Sequence, residues 1–564
     1  MHKLIIPIII VLIIAAGIGG YFAFQKPFAD TNKGGCGDGI CGPKEKRICP
    51  EDCGLIPSKI KCGDGICDEF EKNNSNVCPK DCVQNNQQEQ QQQNQQPTQQ
   101  PATTTQQPPT SQSKSQEQIS QDSPFGIWDT KSGYGLTAPD ITSMNDLGVH
   151  WEAAPVPPLF PGKWEDWKSH YNTYYKNTGI KPVPMIDLIA KKGGGGLSLS
   201  PADYYNSIKS AVSYFSDIDY WMLGVEMDNQ YRAKTITSEQ YALYIRLTYK
   251  ALKDTRKNLN LVAAGGGGAL RYYQDGDFFD QVFNKLQELE NIEKTPSSYN
   301  WSKNSYNLTQ EDFNVVFASD SYSQYMDGHH FSNFDMQTGP AYYREGTANL
   351  VQAIKNLLSA YGYKDIILWD TQIGTYSGQP TISKSPYQSE KDQANDLIRK
   401  YIYSLVVGVG KIFWTTTYEF LWKGDPEEYF SNVGLIYNGQ GKNDLGFGTK
   451  KLAYYTYKKM VEVLDGSDWN NIQTIQEKDG IYVYKFNKSG KNIWVAWNDN
   501  SAEKQITISG ISSIQVKITE AVPKYDSGKD VTDYLTAFNT ETKSVQGGKI
   551  IITLKDKPVF AETQ

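Results

Sequence analysis

Carboxylate and amide side chains recur at or just past the ends of short apolar runs in this chain. They are Glu152, Asp187, Glu226, Asp320, Asp370, Gln372 and Glu419. Two carboxyl groups held across a cleft can do acid–base work on an acetal, one giving a proton to the leaving oxygen and the other serving a water or the sugar carbon. That chemistry also wants flat apolar faces for sugar rings, and aromatics make up 12% of the residues, with 37 Tyr and 12 Trp. Acyl transfer wants a His beside a Ser or Cys nucleophile. Only five His are present, no Cys follows Cys82, and no GxSxG elbow occurs. The residue types therefore point to glycoside chemistry. The catalytic candidates are Glu226, Asp320, Asp370 and Glu419, and the substrate-binding candidates are Gln372, Trp414, Tyr322, Trp151 and Glu152.

Elements must bring these residues together. Apolar runs at residues 125–128, 149–152, 183–188, 220–226, 261–264, 315–318, 366–369 and 411–415 read as strands, with amphipathic helical stretches between them. Eight strands alternating with helices over some 340 residues predict a (β/α)8 barrel, whose reacting groups gather at the C-terminal strand ends. Asp228 and Asn229 read as caps of the helix after strand four. A doubly wound sheet would need a glycine phosphate loop after the first strand, and Gly126-Ile-Trp-Asp supplies none. The glycine runs 193–196 and 265–268 lack the Lys-Ser/Thr ending of a phosphate loop and read as tight turns. From residue 466 short strands at 481–486, 493–497, 506–509, 516–519 and 550–554 predict a small all-β sandwich domain.

The first 122 residues are of another kind. Residues 4–24 are uncharged and long enough to cross a bilayer, which predicts a signal anchor over 1–25 with the bulk of the chain outside; cleavage after Ala29 is the alternative and would make the chain secreted. All eight Cys lie in residues 26–83, in two copies of one pattern: Cys36, Cys41, Cys49 and Cys53, then Cys62, Cys67, Cys78 and Cys82. Four Cys in so short a unit predict disulfides, with three connectivities open per copy. No CxxC spacing or nearby His supports zinc, and the repeated acidic positions make calcium the only cation worth naming. Residues 84–122, rich in Gln, Pro, Thr and Ser, predict a disordered tether to a barrel over 123–465 and a β-domain over 466–564. A net charge of -7 gives no reason to expect nucleic acid as a partner. A mean hydropathy of -0.55 excludes a multi-pass membrane protein. No other cofactor is implied, and the oligomeric state is open.

Three stretches carry a family resemblance. Tyr220-Trp-Met-Leu-Gly-Val-Glu226 resembles strand four of clan A glycoside hydrolases, barrel enzymes that include cellulases and β-xylosidases. Ile366-Ile-Leu-Trp-Asp-Thr-Gln372 resembles their strand seven, and Lys411-Ile-Phe-Trp414 their strand eight with its sugar-stacking Trp. The resemblance spans residues 123–564 and implies that Glu226 is the acid/base. It also marks departures. Val225 stands where the family has Asn, Asp320-Ser-Tyr322 where it has His-x-Tyr, and Gln372 at the nucleophile position. An amide cannot form the glycosyl ester that a carboxylate forms. Three readings are open: a glycosidase in which Asp320, Asp370 or Glu419 activates water for Glu226, a glycan-binding pseudoenzyme, or a surface structural protein. Asp370, two residues before Gln372, is expected on the same face of its strand and one layer deeper.

Overall fold

The computed structural model describes residues 123–129, 138–154, 164–188, 196–265, 276–294, 300, 306, 309, 333–335, 345–363, 366–441 and 444–564. The anchor, the eight cysteines with their disulfide and calcium expectations, and the tether lie outside the described residues, as do Asp320 and Tyr322. The chain divides into two compact units, Met1–Ser111 and Gln112–Gln564. The second unit holds both the barrel and the β-domain.

The first part of the second unit is a closed barrel of eight parallel strands in sequence order: β1 (Phe125–Trp128), β2 (Trp151–Ala154), β3 (Lys181–Ile186), β4 (Tyr220–Leu223), β5 (Asn260–Ala263), β6 (Asn333–Asp335), β7 (Ile367–Ile373) and β8 (Val409–Thr415). Closure is direct, with Phe125 paired to Ile412 and Ile127 to Trp414. The sixth strand is Asn333–Asp335, bonded to β5 and β7. The stretch 315–318, expected to supply it, lies outside the described residues. A three-residue Asn-Phe-Asp strand is too short to show any period.

Nine helices are described around the strands: α1 (Ala138–Leu147), α2 (Trp164–Tyr174), α3 (Pro201–Tyr214), α4 (Met227–Arg232), α5 (Ser238–Thr255), α6 (Gly276–Lys294), α7 (Glu345–Ala360), α8 (Glu390–Val406) and α9 (Leu452–Leu464). Their starts follow from local chemistry. Ser200 accepts from Asp203 N ahead of Pro201, and Thr237/Gln240 and Ser389/Asp392 form reciprocal capping boxes. On the outer wall Arg246 of α5 makes a two-pronged contact with Glu293 of α6, at 2.7 and 2.9 Å, with both side chains buried.

In the strands whose side chains are described, both faces are covered and largely apolar. Inside the barrel pack Trp128, Trp151, Tyr220, Met222, Trp369 and Phe413. Outside, against the helices, pack Phe125, Ile127, Trp221, Leu223, Leu368, Ile412 and Trp414. The barrel is thus plugged by rings. Trp151 meets Tyr220 edge-on at 4.9 Å and Trp369 at 5.7 Å, and the Lys181 and Lys411 ammonium groups lie 4.7 and 5.0 Å from its ring centre. Its indole N–H donates to the carbonyl of Ser123, just before β1, at 2.7 Å. Trp151, expected to bind substrate, is therefore a fully buried part of the plug near the N-terminal end of the strands.

The second part is a β-sandwich. A six-stranded sheet carries β9 (Gln473–Lys478), β10 (Ile481–Lys488), β11 (Lys491–Asn498), β13 (Gln515–Glu520), β14 (Thr540–Ser544) and β16 (Val559–Thr563), and faces a pair formed by β12 (Lys504–Ser509) and β15 (Lys549–Leu554). Val483, Trp494, Ile508, Ile518 and Ile552 fill the space between the sheets. Trp494 and Trp497 are both buried, so neither offers a surface ring.

Candidate functional site at the barrel mouth

The end of β4 is set by backbone conformation. Tyr220 and Met222 point inward and Trp221 and Leu223 outward. Then Gly224 takes φ +73° and Glu226 takes φ +46°, which ends the strand. A non-glycine side chain in the left-handed region is uncommon, and such positions concentrate where a side chain must be aimed. Between them Val225 packs on the barrel plug. Glu226 is half-buried and opens α4, whose first N–H, from Met227, donates to Gly265 O beyond β5 at 3.2 Å. The Glu226 carboxylate accepts from Asn229 Nδ2 at 2.5 Å. The capping roles expected of Asp228 and Asn229 fall elsewhere. Glu226 itself takes the cap position, Asn229 holds its carboxylate, and Asp228 is buried 3.7 Å from Arg232. The i, i+3 spacing of Glu226 and Asn229 was the available signal.

The end of β7 is set by a bulge. Asp370 pairs with Ile412 and Ile373 with Trp414, so three steps along β7 match two along β8. One extra residue reverses the inside–outside alternation. Asp370 and Ile373 both lie on the outer face, like Ile412 and Trp414, and Gln372 falls on the inner face at the mouth, half-buried. Asp370 does not share the face of Gln372, contrary to expectation. It is fully buried beside Lys400 and Tyr401 of α8.

Helix α8 also braces the strand end. Lys400 Nζ donates to Gly374 O at 2.8 Å, and Gln393 Nε2 to Thr375 O at 2.8 Å. Burial pushes Lys400 down to about 8, against the pull of Asp396 and Asp370.

Three other candidates, Trp414, Glu152 and Glu419, are buried. Trp414 has no exposed surface; its ring stacks on Tyr401 and its N–H donates to Val433 O at 3.2 Å. It is a wall residue between β8 and α8, and offers no face to a sugar. Glu152 is fully buried and accepts from the Tyr175 hydroxyl; burial drives its pKa well above the carboxylate range, with Asp129 and Asp140 adding to the rise. Glu419, beyond β8, is buried against Lys451, whose ammonium donates to it. Burial pushes Glu419 up to about 7, against the pull of Lys451. Asp187, at the end of β3, is half-buried.

The Glu419 environment sets a pH dependence. Between pH 4.5 and about 7 the folded state keeps a proton that the unfolded state releases. Stability contributed by that proton is full below pH 4.5 and lost as pH rises through about 7. Over that interval the wild type is expected to lose about 3 kcal/mol relative to Glu419→Gln. Urea unfolding of both proteins at a series of pH values measures it; parallel curves would contradict it.

Among the described residues no group of three or more His, Cys, Asp or Glu is arranged to hold a metal ion. No helix of the described residues is long and apolar enough to cross a membrane.

The RET cysteine-rich domain family model matches residues 54–114. No curated protein matches the chain. Among solved structures, the chain is similar to a GH30 endoxylanase from Clostridium papyrosolvens, at 11% identity and TM-score 0.46, covering 78% of this chain and 95% of that one. It is similar to a thermostable GH51 α-L-arabinofuranosidase from Thermotoga petrophila, at 9% identity and TM-score 0.49, covering 78% and 96%. It is also similar to a monomeric β-xylosidase from Caulobacter crescentus, at 12% identity and TM-score 0.46, covering 78% and 96%. The barrel stands on its own strand order, and none of these structures lends this chain a residue's role.

Proposed function

We propose that the barrel mouth binds a glycan between Glu226 and Gln372, and that the wild-type protein holds the glycan without cutting it. The bulge in β7 carries this reading. It brings a neutral amide to the inner face of the mouth, while Asp370 goes to the helix layer. Glu226 remains as a half-buried carboxylate oriented by Asn229. An amide and a carboxylate together give donors and acceptors for sugar hydroxyls, but not the pair of carboxyls that hydrolysis requires. Glu419 and Glu152 are committed to Lys451 and Tyr175. Of the four catalytic candidates, Asp320 alone remains to serve Glu226 in a hydrolytic reading, and it lies outside the described residues.

The layout of the chain adds a setting to this reading. The anchor expected over residues 1–25, which lies outside the described residues, would hold the chain at a membrane surface. A surface glycan is then the partner.

Binding to a polysaccharide panel tests the reading. The wild-type protein is expected to retain at least one glycan, and Gln372→Ala to bind that glycan at least about 10-fold more weakly, as loss of a two-sided polar contact. Equal binding by both proteins would sink it.

A further inference from the structure

Nine large hydrophobic residues are exposed among the described residues, and five of them stand on two loops: Ile382 and Tyr387 after β7, and Trp422, Leu445 and Phe447 after β8. Apolar surface concentrated in this way marks a contact site. The loops leave the C-terminal ends of β7 and β8, the same end of the barrel at which Gln372 stands.

The two loops are zipped into one shelf. Ser377 N donates to Asn432 O at 3.2 Å, Ile382 N to Glu427 O at 3.3 Å, and Tyr429 N to Ser383 Oγ at 3.1 Å. The rings of Tyr376 and Tyr429 meet edge-on at 5.0 Å. The exposed rings are themselves backed by rings. Phe447, 70% exposed, lies stacked on Tyr418 at 5.7 Å, and Trp422, 38% exposed, is held by Phe420 and Phe430 at 5.9 and 5.5 Å. Rings fixed in this way lose little freedom when a flat partner lies on them. The charges beside them, Lys423, Asp425 and Glu428, are of mixed sign. Fixed ring faces among mixed polar groups fit an uncharged, hydroxyl-rich chain whose sugar rings present C–H faces.

We propose that this shelf carries the outlying sugar units of an extended neutral polysaccharide whose central units occupy the mouth. The protein then takes the interior of a polymer in preference to a lone terminal sugar. The proposal rests on the reading of the mouth as a glycan site.

The test titrates the full-length protein with linear xylo-, cello- and arabino-oligosaccharides of two and six units. For the series that binds, the longer probe is expected to bind at least about 10-fold tighter than the shorter. Trp422→Ala and Phe447→Ala are each expected to remove most of that gain and to leave the two-unit affinity within about 2-fold. Both side chains are exposed, so neither change empties the core. Equal affinity for both lengths, with binding lost in Gln372→Ala, would overturn the shelf and leave the mouth standing. A length gain that survives in both shelf variants would also overturn it and assign the patch to another occupant. Failure of every probe would remove the mouth reading and this one with it.

Discussion

Replacing Gln372 by glutamate is expected to produce reducing-end release from the bound glycan at least about 100-fold above a protein-free control, where the wild type gives none. The change swaps an amide for a carboxylate of the same shape. It falls on the inner face of β7 because of the extra residue between Asp370 and Ile373, at a half-buried position where a carboxylate can stay ionised. Lys400 and Gln393 hold the backbone just beyond it at Gly374 and Thr375, so the new carboxylate inherits a braced position. Glu226, aimed by its left-handed backbone and by Asn229, supplies the proton for the leaving oxygen. The double variant Glu226→Gln/Gln372→Glu is expected to fall back to the wild-type rate. An unchanged rate in the single variant, with glycan binding intact, would mean that Gln372 does not face the scissile bond.

The second large effect is on stability, at the junction of barrel and β-domain. Glu390, the first residue of α8, is 8% exposed. Its Oε1 accepts from the Tyr437 hydroxyl at 3.2 Å and the Ser527 hydroxyl at 2.9 Å; its Oε2 accepts from Leu452 N at 2.8 Å and Gly528 N at 2.7 Å. One carboxylate thus ties α8, the loop after β8, the start of α9 and the β-domain together. The approach is so close that a Cβ on residue 528 would fall 2.0 Å from Lys450 O, which only glycine avoids. Glu390→Ala leaves these donors unmatched in a place water reaches poorly. It is expected to cost about 3–5 kcal/mol, with the β-domain opening before the barrel. Urea unfolding of residues 112–564, followed by tryptophan fluorescence, measures this. A loss under about 1 kcal/mol would show that the junction is held by its apolar contacts alone.

Much of the barrel was legible because buried parallel strands leave apolar runs of four to seven residues between amphipathic helices. Seven of the eight expected runs overlap an observed strand. Of the residues read at the strand ends, Glu226 and Gln372 are half-buried, whereas Glu152, Asp370, Trp414 and Glu419 are buried. What could not be read was which face a residue takes. In a strand covered on both sides, Phe413 and Trp414 look alike, yet one fills the barrel and the other the helix layer. Asp370 and Gln372 sit at i and i+2, which reads as one face; the bulge that separates them exists only in the register against β8. Glu419 looked like a cleft carboxylate because its partner Lys451 lies 32 residues further on, and no local pattern announces such a pair. In the β-domain three strands went unread: β9 and β14, polar and exposed at the sheet edges where alternation has nothing to bury, and the short interior strand β16.

The central claim is that the mouth holds a glycan without breaking it. The most direct measurement exposes the full-length protein and Glu226→Gln to one polysaccharide panel, and scores retention and reducing-end release on the same samples. Retention by the wild type with no release above a protein-free control, and retention by Glu226→Gln within about 3-fold of it, is the expected result. Release by the wild type that disappears in Glu226→Gln would contradict the claim. It would make the protein a glycosidase whose second carboxyl must then be sought at Asp320 or Asp187.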